Sequence, residues 1–83
     1  MLGMDRRHAE YRYRTHRILD RDDGYVGLSL VREKADASPI EAARIIFWDA
    51  CGQWYFETLD GDVPLAIVEE MIAEARPLVP GAS

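Results

Sequence analysis

A single cysteine, Cys51, stands in a chain of 83 residues, so no internal disulfide can form. Only two histidines accompany it, His8 and His16, and no Cys/His cluster has the spacing of a structural zinc site. No apolar run approaches the ~20 residues of a membrane-spanning helix. The opening MLGMDRRHAE is too charged for a secretory signal, which with the lone thiol points to the cytoplasm. Phosphate loops, dinucleotide fingerprints, zinc-protease helices and nucleophile elbows are all missing. The pattern therefore implies no cofactor, no metal and no assembled set of catalytic residues.

The length makes one domain. A chain this short buries only about 60% of its unfolded surface. Domains near this limit lean on a disulfide, a metal or a partner. With the first two wanting, a partner is the support left open, most simply a second copy. Apolar residues make up 48% and charged residues 30%, a globular balance. The net charge of −5 is unevenly spread: residues 1–44 sum to +1 and residues 45–83 to −6. An acidic total argues against general nucleic-acid binding, which depends on neutralising phosphates. The early arginines Arg6, Arg7, Arg12 and Arg14 are the one foothold for such contact, and they could equally face the acidic half of this chain or of a neighbour.

The fold expected is α+β: a four-stranded antiparallel meander with one C-terminal helix packed on one face. Residues 1–9 read as a flexible charged arm, 10–59 as the meander, 63–76 as the helix and 77–83 as a tail. EYRYRTHRIL alternates with the period of a strand, with Tyr11, Tyr13, Thr15 and Leu19 on one side and Arg12, Arg14, His16 and Ile18 on the other. DRDDGY is a turn, and YVGLSLVRE a second strand. A two-residue loop at Asp23-Gly24 pairs Leu19 with Leu28 and Arg17 with Leu30, whereas a three-residue loop would shift the register by one and mix the faces. Ser38-Pro39-Ile40-Glu41 has the form of a capping box, enough for a single helical turn.

In IIFWDACGQWYFETL, aromatics occupy neighbouring positions and so point both ways. A three-residue loop after Asp49 pairs Trp48 with Trp54 and Phe47 with Tyr55. The helix-covered face then holds Tyr13, Leu19, Leu28, Leu30, Ile46, Trp48, Trp54 and Phe56. Pro64 and the acids Asp60 and Asp62 are placed to start the helix, whose apolar side carries Leu65, Val68, Met71, Ile72 and Ala75.

One helix covers one sheet face. The other face is expected to carry Arg12, Arg14, His16, Ile45, Phe47, Tyr55 and Glu57 as its binding or interface residues, with Ile18, Ser29 and Val31 among them. It is too apolar in the middle for plain solvated surface, and such patches mark interfaces or ligand grooves. The expectation is a non-enzymatic homo-oligomeric module, most simply a dimer, that binds a copy of itself, a protein partner or a small amphipathic ligand.

Catalysis has one foothold. His16 could act as a base if Glu57 oriented it across a subunit boundary; the plain reading is a half-exposed strand histidine. Cys51 lacks a neighbouring cation to activate it and reads as a turn residue. Asp20 to Asp23 lack a calcium loop's length and terminal Glu. Tyr and Arg in YRYR fall on opposite sides of a strand, so they make no single stacking platform for bases.

The stretch IIFWDACGQWYFETLDGDVPLAIVEEMIAEA resembles small uncharacterised bacterial proteins, including those carried on mobile integron gene cassettes. The resemblance rests on the aromatic hairpin, the DVP break and the acidic helix. It implies a small stand-alone accessory protein and assigns no residue a role.

Overall fold

Two long strands carry the alternation read in the sequence: β2, Tyr11–Asp20, and β3, Tyr25–Lys34. The computed structural model describes residues 3–81; residues 1, 2, 82 and 83, part of the expected arm and tail, lie outside the described residues. The strands β4, Ile40–Trp48, and β5, Gln53–Thr58, follow in order, then the helix α1, Leu65–Ala75, and a 3₁₀ turn, Arg76–Leu78. A further strand, β1, Asp5–His8, precedes them, and the sheet is an antiparallel meander of five strands in sequence order.

The fifth strand corrects the expected arm. β1 pairs with β2 from Asp5 opposite Arg14 to His8 opposite Tyr11. The turn between them is Ala9-Glu10, with Ala9 at φ 54°, a conformation usually given to glycine. All four β1 side chains are exposed, so no apolar alternation announces the strand. It is held by ion pairs and by its start. Arg6 Nη2 lies 2.7 Å from Glu70 on α1, and Arg12 donates two hydrogen bonds to Asp5. The buried Met4 amide donates to Thr15 Oγ1 at 2.8 Å and to Glu74 at 3.0 Å. Part of the arginine strip thus faces the acidic half of its own chain.

The β2–β3 and β4–β5 hairpins have four-residue loops. In each, the closing glycine has positive φ (78° at Gly24, 64° at Gly52) and its amide donates to the carbonyl four residues back, Asp20 or Trp48. In the first loop the Asp20 carboxylate also accepts the amides of Asp22 and Asp23, which fixes the turn locally. The β2–β3 register is therefore Leu19 opposite Val26 and Arg17 opposite Leu28, two residues from the expected pairing. A shift of two leaves every side chain on its expected face.

The second loop has a larger consequence. Trp48 faces Gln53, Phe47 faces Trp54 and Ile46 faces Tyr55, one residue from the expected register. A slip of one turns a strand over. Ile45 and Phe47, expected on the free face, lie on the helix side, Ile45 in the main core cluster and Phe47 against the Trp54 ring at 5.2 Å between centroids. Ile46 and Trp48, expected in the core, lie on the free face, where Trp48 meets Tyr25 edge to face at 5.1 Å.

The expected helical turn at Ser38–Glu41 is not formed, because β4 begins at Ile40. A bulge follows. Leu30 pairs with Ala43 and Val31 with Glu41, leaving Ala42 as the extra residue. Its carbonyl accepts the amides of Leu59 and Asp60, which turns the chain out of β5 toward the helix. Asp60 pairs with Arg32 at 2.9 Å rather than capping α1, and no acid occupies the helix's first turn.

The core lies between α1 and the sheet. Tyr13, Leu28, Leu30, Ala43 and Ile45 meet Ile67, Met71 and Ala75, with Trp54 and Ile72 packed at its margin. The helix buries the 67/71/75 stripe instead of a face including Leu65, which is 72% exposed. Leu19 and Phe56 share the core side of the sheet but lie beyond the helix's reach, 56% and 42% exposed.

Candidate functional site

The register lays the uncovered face out in rows across the strands. One row is Asp20, Tyr25, Trp48 and Gln53; the next is Ile18, Gly27, Ile46 and Tyr55. Then come His16, Ser29, Arg44 and Glu57, and after them Asp5, Arg14, Val31 and Glu41. The face is therefore divided. Toward the two hairpin loops it is apolar and aromatic; toward the opposite end it is charged.

Gly27 organises the apolar half. A Cβ there would overlap the carbonyl oxygen of Ile45 in the next strand, so only glycine permits this approach. The side chains of Ile18 and Ile46 flank it in the row, and Ile46 is buried without any helix above it. Tyr55 ends the row 52% exposed, with Cys51 Sγ 3.8 Å from its hydroxyl.

The charged half is internally paired. Arg44 grips Glu41 through two hydrogen bonds, and the Ser29 hydroxyl donates to the same carboxylate. The Arg44 guanidinium holds the Glu41 carboxyl below its ordinary range, partial burial opposing it and Ser29 assisting. Arg14 pairs with Glu33 at 3.0 Å. Arg12 does so more loosely and holds the Asp5 carboxyl below its usual range. These pairs occupy Arg6, Arg12 and Arg14 with carboxylates of the same chain, which leaves those residues poorly placed to collect phosphates.

Of the residues singled out from the sequence, Arg12, Arg14, His16, Tyr55 and Glu57 share the uncovered face, and Ile45 and Phe47 do not. His16 and Glu57 end one row with Ser29 and Arg44 between them. Three strand spacings, roughly 14 Å, separate them, so a single copy does not bring them together. Sequence reasoning missed Ile46, Trp48, Arg44 and Glu41 on this face. The hidden signals were the closing Gly52, four residues after Trp48 as Gly24 is after Asp20, and the small pair Ala42-Ala43 at the bulge.

Grooves flank α1 on the other side of the sheet, and two of them lie beside β5 and β2. One, of about 240 Å³, lies between the helix and β5 and is lined by Trp54, Phe56, Ile72 and Arg76 among others. The other, of about 600 Å³, lies toward β2, with Thr15, Arg17, Leu28 and Glu74 on its walls. Glu74 accepts from the Thr15 hydroxyl and the Met4 amide, so its carboxylate is spent on structure. Among the described residues no three His, Cys, Asp or Glu are grouped to hold a metal ion, and no helix is long and apolar enough to cross a membrane.

Comparison with known proteins finds no matching family model, no matching curated protein and no matching solved structure.

Proposed function

We propose that this chain is a non-enzymatic, homo-oligomeric binding module of the cytoplasm, an accessory protein in the sense its cassette-like hairpin and helix imply. Its uncovered sheet face takes a partner protein or a small amphipathic ligand. One observation carries the reading: Ile18, Tyr25, Ile46, Trp48 and Tyr55 form an apolar half-face with no helix or strand of the described residues above it, Tyr55 exposed, Ile18, Tyr25 and Trp48 half-buried and Ile46 buried among them. Contiguous apolar surface of this kind is characteristic of interaction sites. The charged half supports binding over chemistry, since its carboxylates and guanidiniums neutralise one another in pairs.

Light scattering across the micromolar range tests the oligomeric half. The wild-type chain should have at least twice the monomer mass, and Tyr55→Glu, which places a charge on the exposed end of the apolar row, should return it to the monomer. A wild-type chain of monomer mass throughout removes that half of the reading.

A further inference from the structure

We infer that β5 pairs antiparallel with β5 of a second copy, about a two-fold axis at Tyr55, joining two five-stranded sheets into one of ten strands. This rests on the homo-oligomeric reading above and says which surface joins the copies.

The two edges of the sheet are built differently. β1 is short, and its four side chains, Asp5 to His8, are polar and exposed, which is how natural sheets blunt an edge. β5 is longer and has fewer of these devices. Its six residues, QWYFET, contain no proline and no lysine and carry one charge, Glu57. An unguarded aromatic edge of this kind pairs with another strand unless something covers it.

Its backbone is ready to do so. The Trp48 and Ala42 carbonyls accept the amides of Gly52 and Leu59 at either end of β5. The even-numbered residues of β4 therefore face β5, where Gln53, Tyr55 and Glu57 are their partners. In a strand, alternate residues direct N–H and C=O to opposite sides, so those of Trp54 and Phe56 point outward, away from the sheet.

The edge is also complementary to itself. With the axis at Tyr55, Trp54 of each copy lies opposite Phe56 of the other, and these are the outward-pointing residues, which exchange backbone hydrogen bonds in both directions. Gln53 lies opposite Glu57, an amide donor against a carboxylate, and Tyr55 opposite Tyr55. No like charges meet, and aromatic cross-strand pairs stabilise a sheet. An interface in which i meets j and j meets i is what a two-fold demands. Packing agrees. α1 lies over β3 and β4 and leaves the groove beside Trp54 and Phe56 open. A second copy brings its own Trp54 and Phe56 to the same side, closing the two grooves into one apolar seam. The two uncovered faces become one continuous surface.

Sedimentation velocity and amide hydrogen exchange on the full chain test this together. As the dimer fraction rises with concentration, the Trp54 and Phe56 amides should pass from unprotected to protected, while those of Gln53 and Tyr55, already bonded to β4, serve as the internal reference. Phe56→Pro removes one outward N–H that the monomer does not use, and should be folded by circular dichroism and lose the dimer. If that variant fails to fold, the wild-type exchange pattern decides. A dimer whose Trp54 and Phe56 amides stay unprotected, or one that survives in folded Phe56→Pro, overturns the edge pairing and leaves the homo-oligomeric reading standing. A monomer at every concentration overturns both.

Discussion

Glu41 and Arg44, three residues apart on one strand, lie on the same side of the sheet and meet through two hydrogen bonds, at 2.9 Å and 3.1 Å. In a regular strand an odd separation puts side chains on opposite faces. The extra residue Ala42 reverses the parity between them. The bulge thus makes an ion pair on the uncovered face while both alanines beside it remain in the core.

That pair predicts an acid-side change in stability. The folded Glu41 carboxyl titrates below its ordinary value of 4.5, so folding favours its ionised form. Its contribution is complete above the unfolded value and is lost as pH falls through the folded one. Glu41→Gln should therefore flatten the fall of the urea midpoint with pH below about 4.5, though not abolish it, because Asp5 is shifted in the same direction. Parallel curves for variant and wild type would count against the coupling.

Gly27→Ala should be among the most damaging single-methyl additions. The new Cβ meets the Ile45 backbone and not a movable side chain, so relief requires the β3–β4 ladder to part. A loss of at least about 2 kcal/mol is expected from chemical denaturation. A near-neutral result would mean that the strands approach less closely than described.

Gly52→Ala separates conformation from packing. Gly52 has φ 64° and open space around its Cβ position, so the cost is the left-handed backbone alone, about 1–2 kcal/mol. Thermal unfolding of this variant measures how firmly the four-residue loop holds the β4–β5 register.

Thr15→Val tests what secures the first strand. The Thr15 hydroxyl joins the Met4 amide to Glu74 on the helix, and its loss should cost about 1–3 kcal/mol. Amide exchange in β1 should accelerate more than in β3, which is paired on both sides. Equal acceleration everywhere would indicate a global effect instead of a local anchor.

The legible parts were those with contrast between neighbouring positions. In β2, Tyr13 and Thr15 face inward and Arg12 and His16 outward as the alternation requires, even though the register moved by two. Met71, Ile72 and Ala75 were placed toward the core by helical spacing, whereas Leu65 is exposed, Val68 lies outside the core cluster and the buried Ile67 was missed. β1 was illegible because its stability comes from partners far along the chain, Glu70 and Glu74, while its own residues look like a solvated arm. The candidate face was half legible: Tyr55 and Glu57 were placed on it, whereas Ile45 and Phe47 exchanged sides with Ile46 and Trp48.

Local pattern alone determined that β2 to β5 are strands and α1 a helix, that turns fall at the two glycine-closed loops, and that one helix must leave one sheet face bare. Which residues of β4 face which way was decided by tertiary structure. Ile45, Ile46, Phe47 and Trp48 are apolar at every position, so hydrophobic alternation is silent there. The length of the loop ending at Gly52 and the bulge at Ala42 settle the facing instead, through hydrogen bonds that exist only once the strands have paired.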